Sequence, residues 1–188
     1  MSNLPQENHV SVSSPVPTNP AKQAPIESAE PEWMKKLRRF ILEENYAGAI
    51  KMLRECADGP DARNALGVCQ LRAGKIHEAT ETLKTLVIEP GSLVERNNVP
   101  PHYRRNFATA LLMYQRIGGC LQVLRSIKND QSSMAEQLTK TIKEWEKTLT
   151  FWQKLNWKMY NVIPEDRPIQ LNFVPGEFTS AVQSLNAD

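Results

Sequence analysis

The sequence predicts an all-α chain: a solenoid of about three short helical hairpins, closed by a long capping helix near the C-terminus. Three observations carry this. From Pro31 onward, apolar residues recur at the three- and four-residue spacing of a helix face. Gly and Pro interrupt that pattern at short intervals, so the helices are short and paired. Residues 131–160 then sustain a four-three apolar spacing without interruption, as one long helix would.

Composition permits this and excludes other classes. Hydrophobic residues make up 40% and charged residues 23% of 188, enough for one ordinary core. No apolar run approaches the roughly 20 residues that cross a bilayer. The start, Met-Ser-Asn-Leu-Pro-Gln-Glu, has neither a basic opening nor an apolar stretch, so a cytoplasmic protein is expected. Residues 1–30 hold Glu7, Glu27, Glu30 and Lys22, a net of −2, leaving 22 basic and 18 acidic groups and +4 in residues 31–188. That is too mild for a nucleic-acid-binding face. Cys56, Cys69 and Cys120 are widely spaced among aliphatic residues and read as three buried thiols; His9, His77 and His102 are scattered, so no metal site is expected.

Residues 1–30 contain five prolines with many Ser, Asn and Gln, a leader too poor in apolar surface to offset its ordering entropy. Residues 31–130 carry the hairpins. Trp33, Leu37, Ile41 and Leu42 share one face, and Tyr46, Ala49, Ile50 and Leu53 form a second stripe. After Gly59-Pro60-Asp61 come Ala62, Ala65, Leu66, Cys69 and Leu71, then Gly74, then Ile76, Ala79, Leu83, Leu86 and Val87. Phe107, Ala110, Leu111, Tyr114, Gly118 and Val123 make a third unit, with Gly118-Gly119 as its turn. Gly91 to Pro101 reads as an inserted loop before it.

The unit 60–91, with Ala65-Leu66-Gly67, Gly74, Glu78-Ala79, Leu83 and Pro90, resembles the tetratricopeptide repeat; residues 31–58 and 104–129 resemble it more weakly. In that family a small residue such as Gly67 admits the second helix, Gly74 ends the first, and Ala79 sits at the crossing. Val123 stands for the crossing residue in the third unit. The resemblance implies a concave groove lined by the first helix of each hairpin. Transferred offsets give Met34, Arg38 and Ile41; then Asn64, Val68, Leu71 and Arg72; then Arg105, Ala108, Leu112 and Arg116. An apolar floor with four arginines suits a partly apolar, acidic polypeptide, because guanidinium groups pair with carboxylates through two hydrogen bonds.

Along residues 131–160, Leu138, Ile142, Trp145, Leu149, Trp152 and Met159 form a seam that caps the last hairpin or, through Trp145, Leu149 and Trp152, pairs with another copy. In the tail, residues 161–188, Ile169–Val174 alternates apolar and polar as an extended segment does, and is expected in the groove or over the cap. No phosphate loop, nucleophile elbow or zinc-protease motif occurs. No catalytic residue, cofactor or metal is assigned. The Tyr103-Arg104-Arg105 cluster alone does not make an RNA-stacking site. Three functions are consistent with this reading: a non-catalytic adaptor binding another protein or peptide, a small tetratricopeptide-type chaperone for an extended client, and a self-associating structural protein.

Overall fold

In the computed structural model, which describes residues 30–127, 131–179 and 182, the ordered backbone is helical and irregular, with no strand among the described residues. Helix α1 (Glu32–Leu42) opens on Pro31, whose extended backbone starts the helix without using an N–H. Helix α2 (Tyr46–Cys56) is capped by Asn45, whose side chain accepts from the Gly48 N–H at 2.9 Å. Helices α3 (Pro60–Arg72) and α5 (Pro101–Met113) each begin on a proline, and α4 (Ile76–Val87) and α6 (Ile117–Ser126) fold back on them. Each helix packs on the next from α1 to α6, and α3 also meets α5.

The internal repetition is clearest in the turns. After α1, the Glu44 N–H donates to Ile41 and the Asn45 N–H to Phe40; after α3, Gly74 donates to Leu71 and Lys75 to Gln70; after α5, Gln115 donates to Leu112 and Arg116 to Leu111. All three are Schellman turns, and the residue needing positive φ is Glu44, Gly74 and Gln115 in turn. Only the middle turn uses glycine, so the outer two hold strained backbone against their packing. These turns set the register between hairpins at 30 and 41 residues. They correct two sequence assignments. Cys120, fully buried, aligns with Ala49 and Ala79 in this register and takes the crossing position expected of Val123. Gly118 and Gly119 lie in the first turn of α6 and do not form the helix-to-helix turn.

Gly67 bears out the close approach. A Cβ there would lie 2.5 Å from Leu83 Cγ, and Leu83 is itself buried and cannot swing away. Gly67→Ala is therefore expected to cost roughly 1–3 kcal/mol through overpacking, read as a lower urea midpoint at unchanged slope. A variant as stable as the parent would refute the tight crossing. The inserted loop is ordered by an isolated bridge between Ile88 and Glu95, by Arg96 Nε donating to the Ile88 carbonyl, and by an Arg104–Glu95 ion pair at 3.4 Å.

The long capping helix is two helices. Helix α7 (Ser133–Thr148) ends at Leu149, which is extended, and α8 (Phe151–Tyr160) restarts on a capping box between Thr150 and Gln153. Thr150 competes for the backbone donors that would have continued the helix, a signal hidden inside an unbroken apolar pattern. The break also dissolves the proposed self-association seam. Trp145 and Leu149 are buried in the chain's own core, where Trp145 meets Trp157 edge-on at 5.4 Å, whereas Trp152 faces outward. Among the described residues, no helix is long and apolar enough to cross a membrane.

Candidate functional site

The tail answers where an extended segment goes when there is no sheet to join. From Ile169 to Val174 the buried or half-buried residues alternate with exposed ones, and from Pro175 to Phe178 every residue is buried or half-buried. The segment leaves the α7–α8 cap, where Trp145 Nε1 donates to the Arg167 carbonyl at 2.8 Å. It then crosses α5 and α3 and reaches the apolar cluster of α1 and α2, which includes Phe178 and Val182 with Met34 and Leu37.

Side-chain amides replace the missing strand partner. Gln115 Nε2 donates to the Ile169 carbonyl at 2.9 Å, and the Ile169 N–H donates to Gln115 Oε1 at 3.0 Å. Eight residues on, Asn106 repeats the arrangement: its Nδ2 donates to the Glu177 carbonyl at 2.9 Å and its Oδ1 accepts from the Glu177 N–H at 2.8 Å. A primary amide offers one donor and one acceptor side by side, as a neighbouring strand would. Asn106 Nδ2 also donates to Asn64 Oδ1 at 2.9 Å, tying α5 to α3 beneath the tail.

Two arginines complete the clamp. Arg72 donates from Nε to the Pro175 carbonyl at 3.2 Å and from Nη2 to the Gly176 carbonyl at 3.1 Å, while its guanidinium lies 4.6 Å from the centre of the Phe178 ring. Arg105 holds the Glu177 carboxylate by Nε at 2.6 Å and Nη2 at 2.5 Å, a pair only 12% and 20% exposed. Gly176 has a φ of 73° and sits against Val68, where a Cβ would come within 3.0 Å. The tail thus turns at a residue that both the backbone and the space reserve for glycine.

Of the eleven residues assigned to the groove, Asn64, Val68, Arg72 and Arg105 meet the tail or the amide beneath it. The others divide. Arg38 pairs with Glu30, its Nη1 donating to Oε2 at 2.8 Å, and Ile41 is half-buried beside it on α1. Met34 is buried in the α1–α2 cluster that Phe178 and Val182 of the tail also join. Leu71, Ala108 and Leu112 are core residues: the 41-residue register aligns Ala108 with Gly67, at the hairpin crossing, and Leu112 with Leu71. Arg116 lies beyond the Gln115 turn as the residue preceding α6, exposed and 5.9 Å from the Tyr114 ring, so it is not part of this face. The sequence reading missed Asn106, Gln115 and Glu177. A buried asparagine inside a helix was the available signal, since that residue disfavours helix interiors unless its amide has a task.

Tyr103 is buried, and its hydroxyl donates to Asp61 Oδ1 at 2.6 Å. Burial and that bond push its pKa above the ordinary tyrosine range. Its ring is accordingly a strut between α5 and α3, and no base could stack on it. Burial also lowers the His102 pKa, against an opposing pull from Glu177. Burial lifts the Cys69 and Cys120 thiols to about 12, whereas Cys56 is exposed, against the expectation of three buried thiols. A disulfide-exchange reagent should therefore titrate one of the three thiols quickly in the native chain and all three in denaturant. Rapid reaction of two or more native thiols would contradict this packing. Among the described residues, no three His, Cys, Asp or Glu side chains are grouped as a metal site.

Compared with known proteins, the chain matches no family model, no curated protein and no solved structure.

Proposed function

We propose that this protein is a non-catalytic adaptor of the tetratricopeptide type, working in the cytoplasm, whose α3–α5 face recognises an extended segment of a partner polypeptide. The observation that carries the reading is the occupancy of that face by the chain's own tail. A face that brackets two backbone units with amides, caps two carbonyls with Arg72 and neutralises one carboxylate with Arg105 has the chemistry of a peptide site. In this reading the tail is a tethered ligand. It lowers the apparent affinity for a partner in proportion to the fraction of time the face is covered. The ligand chemistry follows from the contacts: an acidic residue followed by an aromatic one, preceded by a glycine that can lie on Val68.

The contacts favour a selective site over a chaperone holding any extended client. Arg105–Glu177 and Arg72–Phe178 are side-chain-specific, whereas a general holding surface would engage backbone and apolar area alone. The test is reconstitution in trans, in which a chain cut after Val174 is offered the segment it has lost. Failure to bind that segment at any accessible concentration would remove the reading.

A further inference from the structure

Helix α8 has its apolar side facing away from the protein. At about 100° per residue, Phe151, Leu155, Met159 and Trp152 fall within a single arc of roughly 100°. All four are exposed, Phe151 at 72% and Trp152 at 71%. The opposite side carries Trp157, which is buried, stacked edge-on against Trp145 and donating from Nε1 to Glu146 Oε1 at 3.0 Å. The capping box at Thr150 and the left-handed Asn161 fix both ends. So the helix is held by one aromatic anchor, and a contiguous solvent-facing apolar stripe is built on it, the kind of feature that marks a docking surface.

The flank of the stripe identifies the occupant. Lys154 and Lys158 border it on one side, and they line a cleft of about 360 Å³ with Lys143 and Lys147 of α7, Glu146 and Trp157. None of these four lysines makes an ion pair among the described residues, and α8 holds no acidic residue. We propose that α8 and the lysine cleft dock an amphipathic helix of a partner protein that carries acidic residues along one edge of its apolar face. The apolar stripe receives the partner's anchors, and its carboxylates enter the cleft, where partial burial strengthens the pairing. A second copy of this chain fits less well. Pairing α8 with itself supplies no carboxylate to the lysines, and the antiparallel two-fold arrangement sets Lys154 and Lys158 against their own copies. A bilayer fits less well too, because the lysines line a recess beside the stripe, which suits individual side chains more than a plane of headgroups.

The test uses the full chain and a synthetic peptide of about 20 residues with leucines at heptad a and d and glutamates at e and g, against the same peptide with lysines at e and g. The glutamate peptide is expected to bind with a blue shift of tryptophan emission, and the lysine peptide at least about tenfold more weakly. Trp152→Gln should abolish the shift, and Lys154→Glu with Lys158→Glu should reverse the charge preference; both variants change exposed or half-exposed residues and should keep the parent's helix content. Equal binding of the two peptides, or binding of neither, would overturn the proposal. Dimerisation abolished by Trp152→Gln would replace the partner helix with a second copy, and binding to phosphatidylserine vesicles in preference to phosphatidylcholine would replace it with a membrane. The tail-bearing face is not involved, so cutting the chain after Val174 should leave this binding unchanged.

Discussion

A chain ended at Val174 should bind a synthetic Pro175–Val182 peptide in trans with a dissociation constant of about 10–100 μM, while the full chain should show no measurable uptake. The lower-affinity end reflects what an eight-residue peptide must lose in freedom on binding. Burying Phe178 contributes about 1.5–3 kcal/mol, and the charge-assisted bonds from Arg72 and Arg105 about 1.5–3 kcal/mol each, before ordering of the peptide is subtracted. The cut is placed to spare the Gln115–Ile169 bracket and the Trp145–Arg167 bond, which hold the cap in place. Cutting after Glu165 would remove both as well and confound loss of the ligand with loss of the cap. The shortened chain should also bind more of a hydrophobic dye than the full chain, whose exposed α8 stripe sets the baseline, because Val68 and the α1–α2 cluster lose their cover. Fluorescence polarisation with labelled peptide reads the first effect and dye titration the second. Unchanged dye binding would mean that the tail covers no apolar surface worth reading.

Arg105→Glu should destabilise the full chain by about 3 kcal/mol. The pair is nearly enclosed, and reversing one member leaves Glu177 buried beside a like charge. Exchanging the charges, Arg105→Glu with Glu177→Arg, should recover at least half of the loss, since the new pair occupies the same space with its two forks reversed. Urea unfolding of the four chains in a double-mutant cycle gives the coupling directly. A coupling near zero would show that the tail rests on its apolar and backbone contacts and that Arg105 selects no carboxylate. The same Arg105→Glu change in the shortened chain separates roles: stability should change little there, because Glu177 is gone, while the trans peptide should bind about a hundredfold more weakly.

Much of this was legible in the chain. The order of the hairpins, the Gly67 crossing and the Gly74 turn follow from spacing and sterics acting within a few tens of residues, so local sequence specifies them. The alternation from Ile169 gave the extended tail for the same reason: a period of two is a property of the segment itself. Arg72 and Arg105 were placed on the groove by the offsets that the tetratricopeptide resemblance implies. Errors arose where a decision depended on something distant in sequence. Thr150 splits an unbroken apolar run because its cap competes locally with packing, and periodicity does not register a cap. The third hairpin slipped by three residues because a glutamine, Gln115, holds the positive φ that a glycine was expected to hold.

The sequence by itself determined an all-α chain of paired helices with an extended C-terminal segment, because helix and strand periods are written in nearest neighbours. Tertiary structure alone decided which faces meet. It put Asn106 and Gln115 under a segment more than fifty residues later in the chain, separated Trp145 from Trp152, and turned the apolar side of α8 outward. Periodicity marks a residue as apolar or polar on a given face. Whether that face is covered depends on the free energy of packing it against chain that arrives from elsewhere, and no spacing within the segment records that.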